Sequence, residues 1–279
     1  LKFEELNLNR RVLAGVKAAG HIKPTPIQEQ AIPVALRGRD VLGLAQTGTG
    51  KTAGFMLPIL QRLITGPMGP VRALIVAPTR ELAEQIHQVA VDLGKNTKIR
   101  SVAIYGGVSK GSQVKALNRG AEIVVACPGR LLDHVNDGSI DLSRVEVLVL
   151  DEADKMLEIG FIDDVEKILA ACNEDRQTLL FSATFPQELL KLARAYTRSP
   201  IEVATASGIA TVDTITQYHL KVTDDNRVRG LSMMINSSAE EDVFLVFCER
   251  RTDVDRLLRR LERERFSVKA LHGGYDQAS

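Results

Sequence analysis

Ala45-Gln46-Thr47-Gly48-Thr49-Gly50-Lys51-Thr52 directly follows the apolar run Val41–Leu44. A glycine-rich turn, then a lysine and a threonine, thereby stand between a predicted strand and a predicted helix. Backbone N–H groups of such a turn, with the positive end of the helix behind them, surround phosphate oxygens. In that geometry Gln46, Thr47, Gly48, Thr49 and Gly50 form the cradle, Lys51 reaches the β and γ oxygens of a triphosphate, and Thr52 ligates Mg²⁺. The position that opens the pattern is Ala45 rather than glycine, which narrows the freedom of the loop without adding much bulk. The plainer alternative is a turn that only opens a helix. Two spaced glycines followed by Lys-Thr after a buried-type strand favour the phosphate reading.

Working outward, apolar runs alternate with helical patterns. Strands are expected at Val41–Leu44, Ala73–Ala77, Val102–Tyr105, Ile123–Ala126, Val145–Leu150, Thr178–Phe181 and Ile201–Ala204. This rhythm predicts an α/β fold, a parallel sheet wrapped by helices. Several of the runs are apolar on both faces, as strands covered on both sides must be. The polar motifs fall just past strand C-termini, where open α/β sheets bind ligands. Residues 206–214 are small and polar and read as a linker between a domain over 1–205 and a second α/β unit over 215–279. In that second unit Val243–Cys248 and Phe266–Leu271 read as strands. Between them, Val254, Leu257, Leu258 and Leu261 share one helix face. About 65 residues are few for a whole parallel-sheet domain, so the second domain is expected to be incomplete.

Composition sets wider bounds. With 44% hydrophobic residues in 279, the chain has material for about two cores. Lysine and arginine total 36 against 35 acidic residues, so no global positive field announces a nucleic acid, and any such contact must come from local geometry. Cys127, Cys172 and Cys248 lie far apart without metal-ligand spacing, which suits reduced thiols in the cytosol. No secretory leader or run of about 18 apolar residues is present, so a cytoplasmic protein without a membrane anchor is expected, with a monomer as the default.

Asp151-Glu152-Ala153-Asp154 follows the run Val145–Leu150 and puts adjacent carboxylates at a strand tip facing the phosphate loop. Asp151 is placed to bind Mg²⁺ through a coordinated water. Glu152 is placed to polarise the water that attacks the γ-phosphate. An acidic turn without a ligand is the alternative. With its phosphate loop, the chain strongly resembles the DEAD-box RNA helicases, ATP-dependent enzymes built from two RecA-like domains.

The resemblance extends over nearly the whole chain and implies further site residues. Gly20 to Gln28, including Lys23, resembles the adenine-recognising segment, in which Gln28 hydrogen-bonds the base. Thr25, Pro26 and Gln28 equally fit an N-cap, a first helical turn and a capping box, and both roles can hold together. Phe3 matches the aromatic that stacks on adenine, while His21 stands where an aromatic is usual. Pro78-Thr79-Arg80, Gly106-Gly107 and Cys127-Pro128-Gly129-Arg130 resemble RNA-facing motifs, with Cys127 in place of the usual threonine. Gly160 and Phe161 match a helix-start segment near RNA. Ser182-Ala183-Thr184 matches the motif that couples hydrolysis to unwinding, where hydroxyls bond Asp154; an N-cap ahead of Pro186 is the alternative. Val246-Phe247-Cys248, Leu271-His272-Gly273-Gly274 and Gln277 resemble early motifs of the second domain.

The resemblance implies an RNA-dependent ATPase that uses ATP and Mg²⁺ to open short duplexes, with RNA as partner and any protein cofactors unspecified. Two other readings compete. A chain ending at Ser279 lacks the late arginine motifs and is expected to act as a nucleotide-binding module with weak RNA binding. A different phosphate-loop enzyme, such as a small-molecule kinase or DNA translocase, is disfavoured by Gln28 and by the full Asp151–Asp154 quartet.

Overall fold

The computed structural model describes residues 2–204, 216, 218–239 and 241–274. The chain divides into two units, Leu1–Ala210 and Thr211–Ser279. The expected linker 206–214 and Gln277 lie outside the described residues.

In the first unit seven strands form one parallel sheet: β1 (Val41–Leu44), β2 (Ala73–Val76), β3 (Ser101–Ile104), β4 (Ile123–Ala126), β5 (Val147–Leu150), β6 (Gln177–Ser182) and β7 (Ile201–Ala204). Their spatial order is β3-β4-β2-β5-β6-β1-β7. Parallel pairing needs crossovers, and helices supply them. After α1 (Arg10–Ala18) and α2 (Pro26–Leu36), which precede β1, the crossover helices are α3 (Lys51–Leu63), α4 (Arg80–Gly94), α5 (Lys110–Asn118), α6 (Pro128–Asn136), α7 (Ala153–Ile159), α8 (Ile162–Ala171) and α9 (Gln187–Tyr196). Alternation along the strands feeds two cores. Ala73, Ile75, Ile123, Val125, Val147 and Val149 enter one, with Phe55, Leu57 and Ile86 of the helices. Leu74, Val76, Val124, Ala126, Leu148 and Leu150 enter the other, with Leu131, Ile168 and Leu189. Each large side chain fully buried in these layers stabilises the fold by roughly 1.5–3 kcal/mol.

Strand boundaries depart from expectation by one or two residues. β3 begins one residue early, and β6 gains Gln177 and Ser182. β5 starts at Val147 because the Val145 N–H bonds to the Leu142 carbonyl in a turn.

The second unit holds α10 (Arg227–Asn236) and α11 (Arg251–Arg263), the latter covering the expected helix face. The expected strands Val243–Cys248 and Phe266–Leu271 are not strands among the described residues. Strand-like composition forms no ladder without a hydrogen-bonding neighbour, and Val243 and Phe247 stay 95% and 86% exposed. No helix among the described residues is long and apolar enough to cross a membrane.

Candidate active site

The phosphate loop joins β1 to α3. Its Ala45 N–H donates to the Ser182 carbonyl at 3.0 Å, which ties the loop to the end of β6. Gly50 adopts φ 88°, and a Cβ there would lie 2.6 Å from Gln28 Nε2, so both conformation and space require glycine. Thr49 Oγ1 closes the turn on the Gln46 carbonyl at 2.8 Å. Lys51 opens α3, with Thr52 next to it.

Lys51 Nζ lies 3.0 Å from Asp151 Oδ1, with side chains 5% and 1% exposed. Beyond this ion pair Lys51 Nζ has no partner among the described residues, and Asp151 Oδ2 is buried without a hydrogen bond. Burial pushes the Asp151 carboxyl up from the ordinary range, and the nearby ammonium pulls it back. A buried cation and a buried oxygen with unused bonding capacity fit a phosphate and a hydrated cation. Asp151 Oδ2 is the buried oxygen that could meet a hydrated cation, and Thr52 stands on the first turn of α3 next to Lys51.

Glu152 follows Asp151 in a left-handed conformation, φ 53°. Its Oε1 accepts from Thr47 Oγ1 at 2.8 Å, so the phosphate loop holds the very carboxylate assigned to the attacking water. Asp154 stands on the first turn of α7. Its Oδ2 accepts from both the N–H and the Oγ1 of Thr184, each at 2.9 Å, and its own N–H donates to Ser182 Oγ at 3.1 Å. The N-cap of α9 is Pro186, so Ser182 and Thr184 serve Asp154 rather than a helix end. Because β6 lies between β5 and β1, the acidic motif, the Ser182–Thr184 motif and the phosphate loop occupy neighbouring strand ends.

Gln28 is 1% exposed and works in two directions. Its Oε1 accepts from the Thr25 N–H at 3.1 Å, one half of a capping box, and its Nε2 donates to the Gly50 carbonyl at 2.9 Å. Thr25 Oγ1, the other half, is buried without a partner. Gln28 therefore supports the phosphate loop, a link that spacing alone did not reveal. One amide hydrogen and one carbonyl lone pair remain beyond these bonds. Lys23 is exposed. Phe3, expected to stack on a base, is 2% exposed in the first core and meets His21 edge-on at 6.1 Å between centroids. Its ring is covered here, because Phe3 and Leu6, the buried residues of the short 3₁₀ turn Phe3–Leu6, are the apolar anchors that dock the N-terminal segment.

The segments expected to face RNA leave the other half of the sheet. Pro78, Thr79 and Arg80 follow β2, and Thr79 Oγ1 caps α4 by accepting from the Leu82 N–H at 3.2 Å. The Arg80 guanidinium sits 4.9 Å from the Tyr105 ring centroid, a cation–π distance. Gly106 and Gly107 follow β3 and are exposed. Pro128 opens α6, followed by Gly129 and Arg130, which donates to the Val108 carbonyl at 3.0 Å. Cys127, at the N-cap, makes no side-chain cap, and burial pushes its thiol up to about 11. Gly160 and Phe161 stand at a helix start, as expected, between α7 and α8, with Phe161 at the N-cap of α8. Gly160 ends α7 at φ 88°, and Phe161 packs half-buried on the second core.

Residues 25–192, more than half of the chain, match the DEAD/DEAH box helicase family. The chain belongs to that family. Among its DEAD-box relatives, the ATP-dependent RNA helicase CshA of Streptococcus pneumoniae is 41% identical over 99% of this chain and 52% of its own length. The ATP-dependent RNA helicase DeaD of Escherichia coli is 41% identical, over 99% of this chain and 44% of its own length. The crystal structure of a DEAD box protein from the hyperthermophile Methanococcus jannaschii superposes with a TM-score of 0.70 at 38% identity, covering 99% of this chain and 74% of that one. This DEAD-box chain thus spans about half the length of the curated relatives it matches.

Proposed function

We propose that this chain carries the nucleotide-binding machinery of a cytoplasmic, RNA-dependent ATPase that uses ATP and Mg²⁺ to open short RNA duplexes locally. One observation carries the reading most. The C-terminal edge of the sheet is sorted into two adjoining groups, with the phosphate and acidic motifs on β5-β6-β1 and the candidate RNA motifs on β3-β4-β2. A nucleotide and a polynucleotide can occupy one edge side by side.

In this reading Lys51 exchanges its ion pair with Asp151 for the β and γ oxygens of ATP. Glu152 leaves Thr47 and orients the attacking water. Thr52 and Asp151 would hold a magnesium ion, whose charge would neutralise the phosphate oxygens. Thr184 and Ser182, bonded to Asp154, register the position of the acidic motif. Arg80, Arg130 and the exposed glycines meet the sugar-phosphate chain, contacts that position rather than specify sequence.

ATP turnover measured with and without single-stranded RNA, on this chain and on the longer protein, tests the proposal. Stimulation by RNA in the longer protein is expected. Turnover indifferent to RNA in both would refute it.

A further inference from the structure

Beneath the loop after β3 runs a buried polar chain that no motif above includes. Gln113 of α5 is 5% exposed and His134 of α6 is fully buried. Gln113 Nε2 donates to the Tyr105 carbonyl at 2.9 Å. A carbonyl only accepts, so this bond fixes the amide orientation and turns Oε1 toward His134 Nε2 at 2.9 Å and Arg130 Nη1 at 3.5 Å. Oε1 in turn only accepts, so His134 carries its proton on Nε2. Its Nδ1 is then a bare lone pair, buried without a partner. Arg130 Nη1 also donates to the Val108 carbonyl at 3.0 Å. The carbonyls flanking Gly106-Gly107 are thereby held from both sides, by Gln113 at Tyr105 and by Arg130 at Val108.

We propose that Gln113 and His134 are positioning residues for RNA: a strut that holds the Gly106-Gly107 loop and the Arg130 guanidinium in one shared geometry, without touching the ligand. The proposal rests on the RNA face read above. Two glycines in sequence, with Gly107 at φ 81°, give a loop little stiffness of its own. Order must come from its flanks. An apolar pair would avoid the unsatisfied Nδ1 but leave the Tyr105 carbonyl without the Gln113 donor, so what the polar pair adds is a fixed position for that carbonyl. The neutral imidazole suits its surroundings. Burial, Lys110 and Arg130 hold its basicity down, against Asp133 and Asp137. Tyr105 extends the strut, since its ring carries Arg80 and its hydroxyl donates to Glu84.

Three variants test this in the 279-residue chain. His134→Phe removes the donor to Gln113, His134→Gln supplies a new amide donor, and Gln113→Glu puts an acceptor against the Tyr105 carbonyl. Amide hydrogen exchange at residues 106–108 reads the loop directly, anisotropy of fluorescein-labelled oligouridylate reads RNA affinity, and a fluorescent ADP reads the nucleotide site. Losing a buried hydrogen bond is worth about 1–2 kcal/mol, a factor of roughly 5–30. His134→Phe and Gln113→Glu are expected to speed exchange and weaken oligouridylate by about that factor. ADP affinity should stay unchanged, because β2, β5 and β6 separate the strut from β1. His134→Gln should restore both readouts, which a loss of packing would not allow. Should His134→Phe fail to fold, Gln113→Glu, close to isosteric, carries the same test. Unchanged exchange, or faster exchange with unchanged RNA affinity, overturns the strut. Absence of RNA binding in the wild-type chain, with exchange responding as expected, refutes instead the RNA-face reading on which it rests.

Discussion

Replacing Lys51 with methionine removes the charge but keeps most of the aliphatic length, and the structure predicts two separable losses. The first is stability. Lys51 and Asp151 are almost wholly buried and 3.0 Å apart, so Lys51→Met leaves a carboxylate in a dry site with one oxygen already unpartnered. Breaking a buried pair costs about 3–5 kcal/mol. Burial already raises the Asp151 pKa, so proton uptake relieves part of that cost and the lower figure applies. For a unit of this size about 3 kcal/mol lowers the melting temperature by roughly 6–12 °C. The sign with pH follows from the raised carboxyl. The folded state favours the protonated acid, so the deficit is full above the folded-state pKa and shrinks as pH falls through it. The second loss is nucleotide affinity, and Asp151→Asn separates the two. Lys51→Met with Asp151→Asn leaves no buried charge, so melting should recover most of the way while ATP binding stays lost. Thermal melts across pH, beside a titration with fluorescent ATP, make the measurement. A single variant that melts within about 1 °C of wild type would show that the pair carries no charge in the resting site. Recovery of ATP affinity in the double variant would refute the role of Lys51.

Glu152→Gln keeps the acceptor for Thr47 Oγ1 and loses the carboxylate, so it should bind ATP normally and hydrolyse it slowly. Single-turnover and binding assays check the split, and an affinity loss as deep as that of Lys51→Met would contradict it. Gln28→Ala cuts both the bond to the Gly50 carbonyl and half of a capping box, which predicts a stability loss of about 1 kcal/mol together with a weaker preference for ATP over GTP. A melting curve beside nucleotide competition decides, and unchanged base preference would leave Gln28 as a loop support alone. His87 and His134 are both lowered chiefly by burial, so the folded state disfavours their protonation. Stability should be full above the unfolded imidazole value of about 6.5 and fall as pH drops below it, which urea melts at pH near 7.5 and 5.5 would record.

Much of the first unit is legible from the chain. β1, β4 and β7 begin and end at the expected residues, each a short run in which apolar residues predominate. Pattern reading works less well where pairing decides. Val243–Cys248 has the composition of a strand, yet no described neighbour offers it a ladder. The resemblance sets Phe3 beside a base, and its burial in the N-terminal turn, which follows from the ordinary hydrophobic term, does not decide that role. The polar strut escaped altogether. Gln113 and His134 lie 21 residues apart on different helices, and no spacing says that two polar side chains turn inward to meet.

Strand order adds a relation that no linear motif contains. The nucleotide residues come from early and late in the chain, on β1, β5 and β6, whereas the candidate RNA residues come from its middle, on β2, β3 and β4. The two groups meet at one seam, where β2 pairs with β5 and Val76 stands opposite Leu150. Beyond the end of that pairing the Asp151 N–H still donates to the Val76 carbonyl at 3.0 Å. Val76 is two residues before Pro78, so the backbone of Asp151 is bonded to the root of the Arg80 loop. Packed sheets transmit small displacements because their interiors are dense and little compressible. Any shift of Asp151 when Lys51 turns to a phosphate must therefore stretch this bond or carry the Pro78–Arg80 root with it. The Asp154–Thr184 bonds run toward β6, away from that seam. The acidic motif is thus held at its first residue by β2, which carries the candidate RNA residues, and at its last by the strand next to the phosphate loop, and a rotation of that short segment would be felt at both.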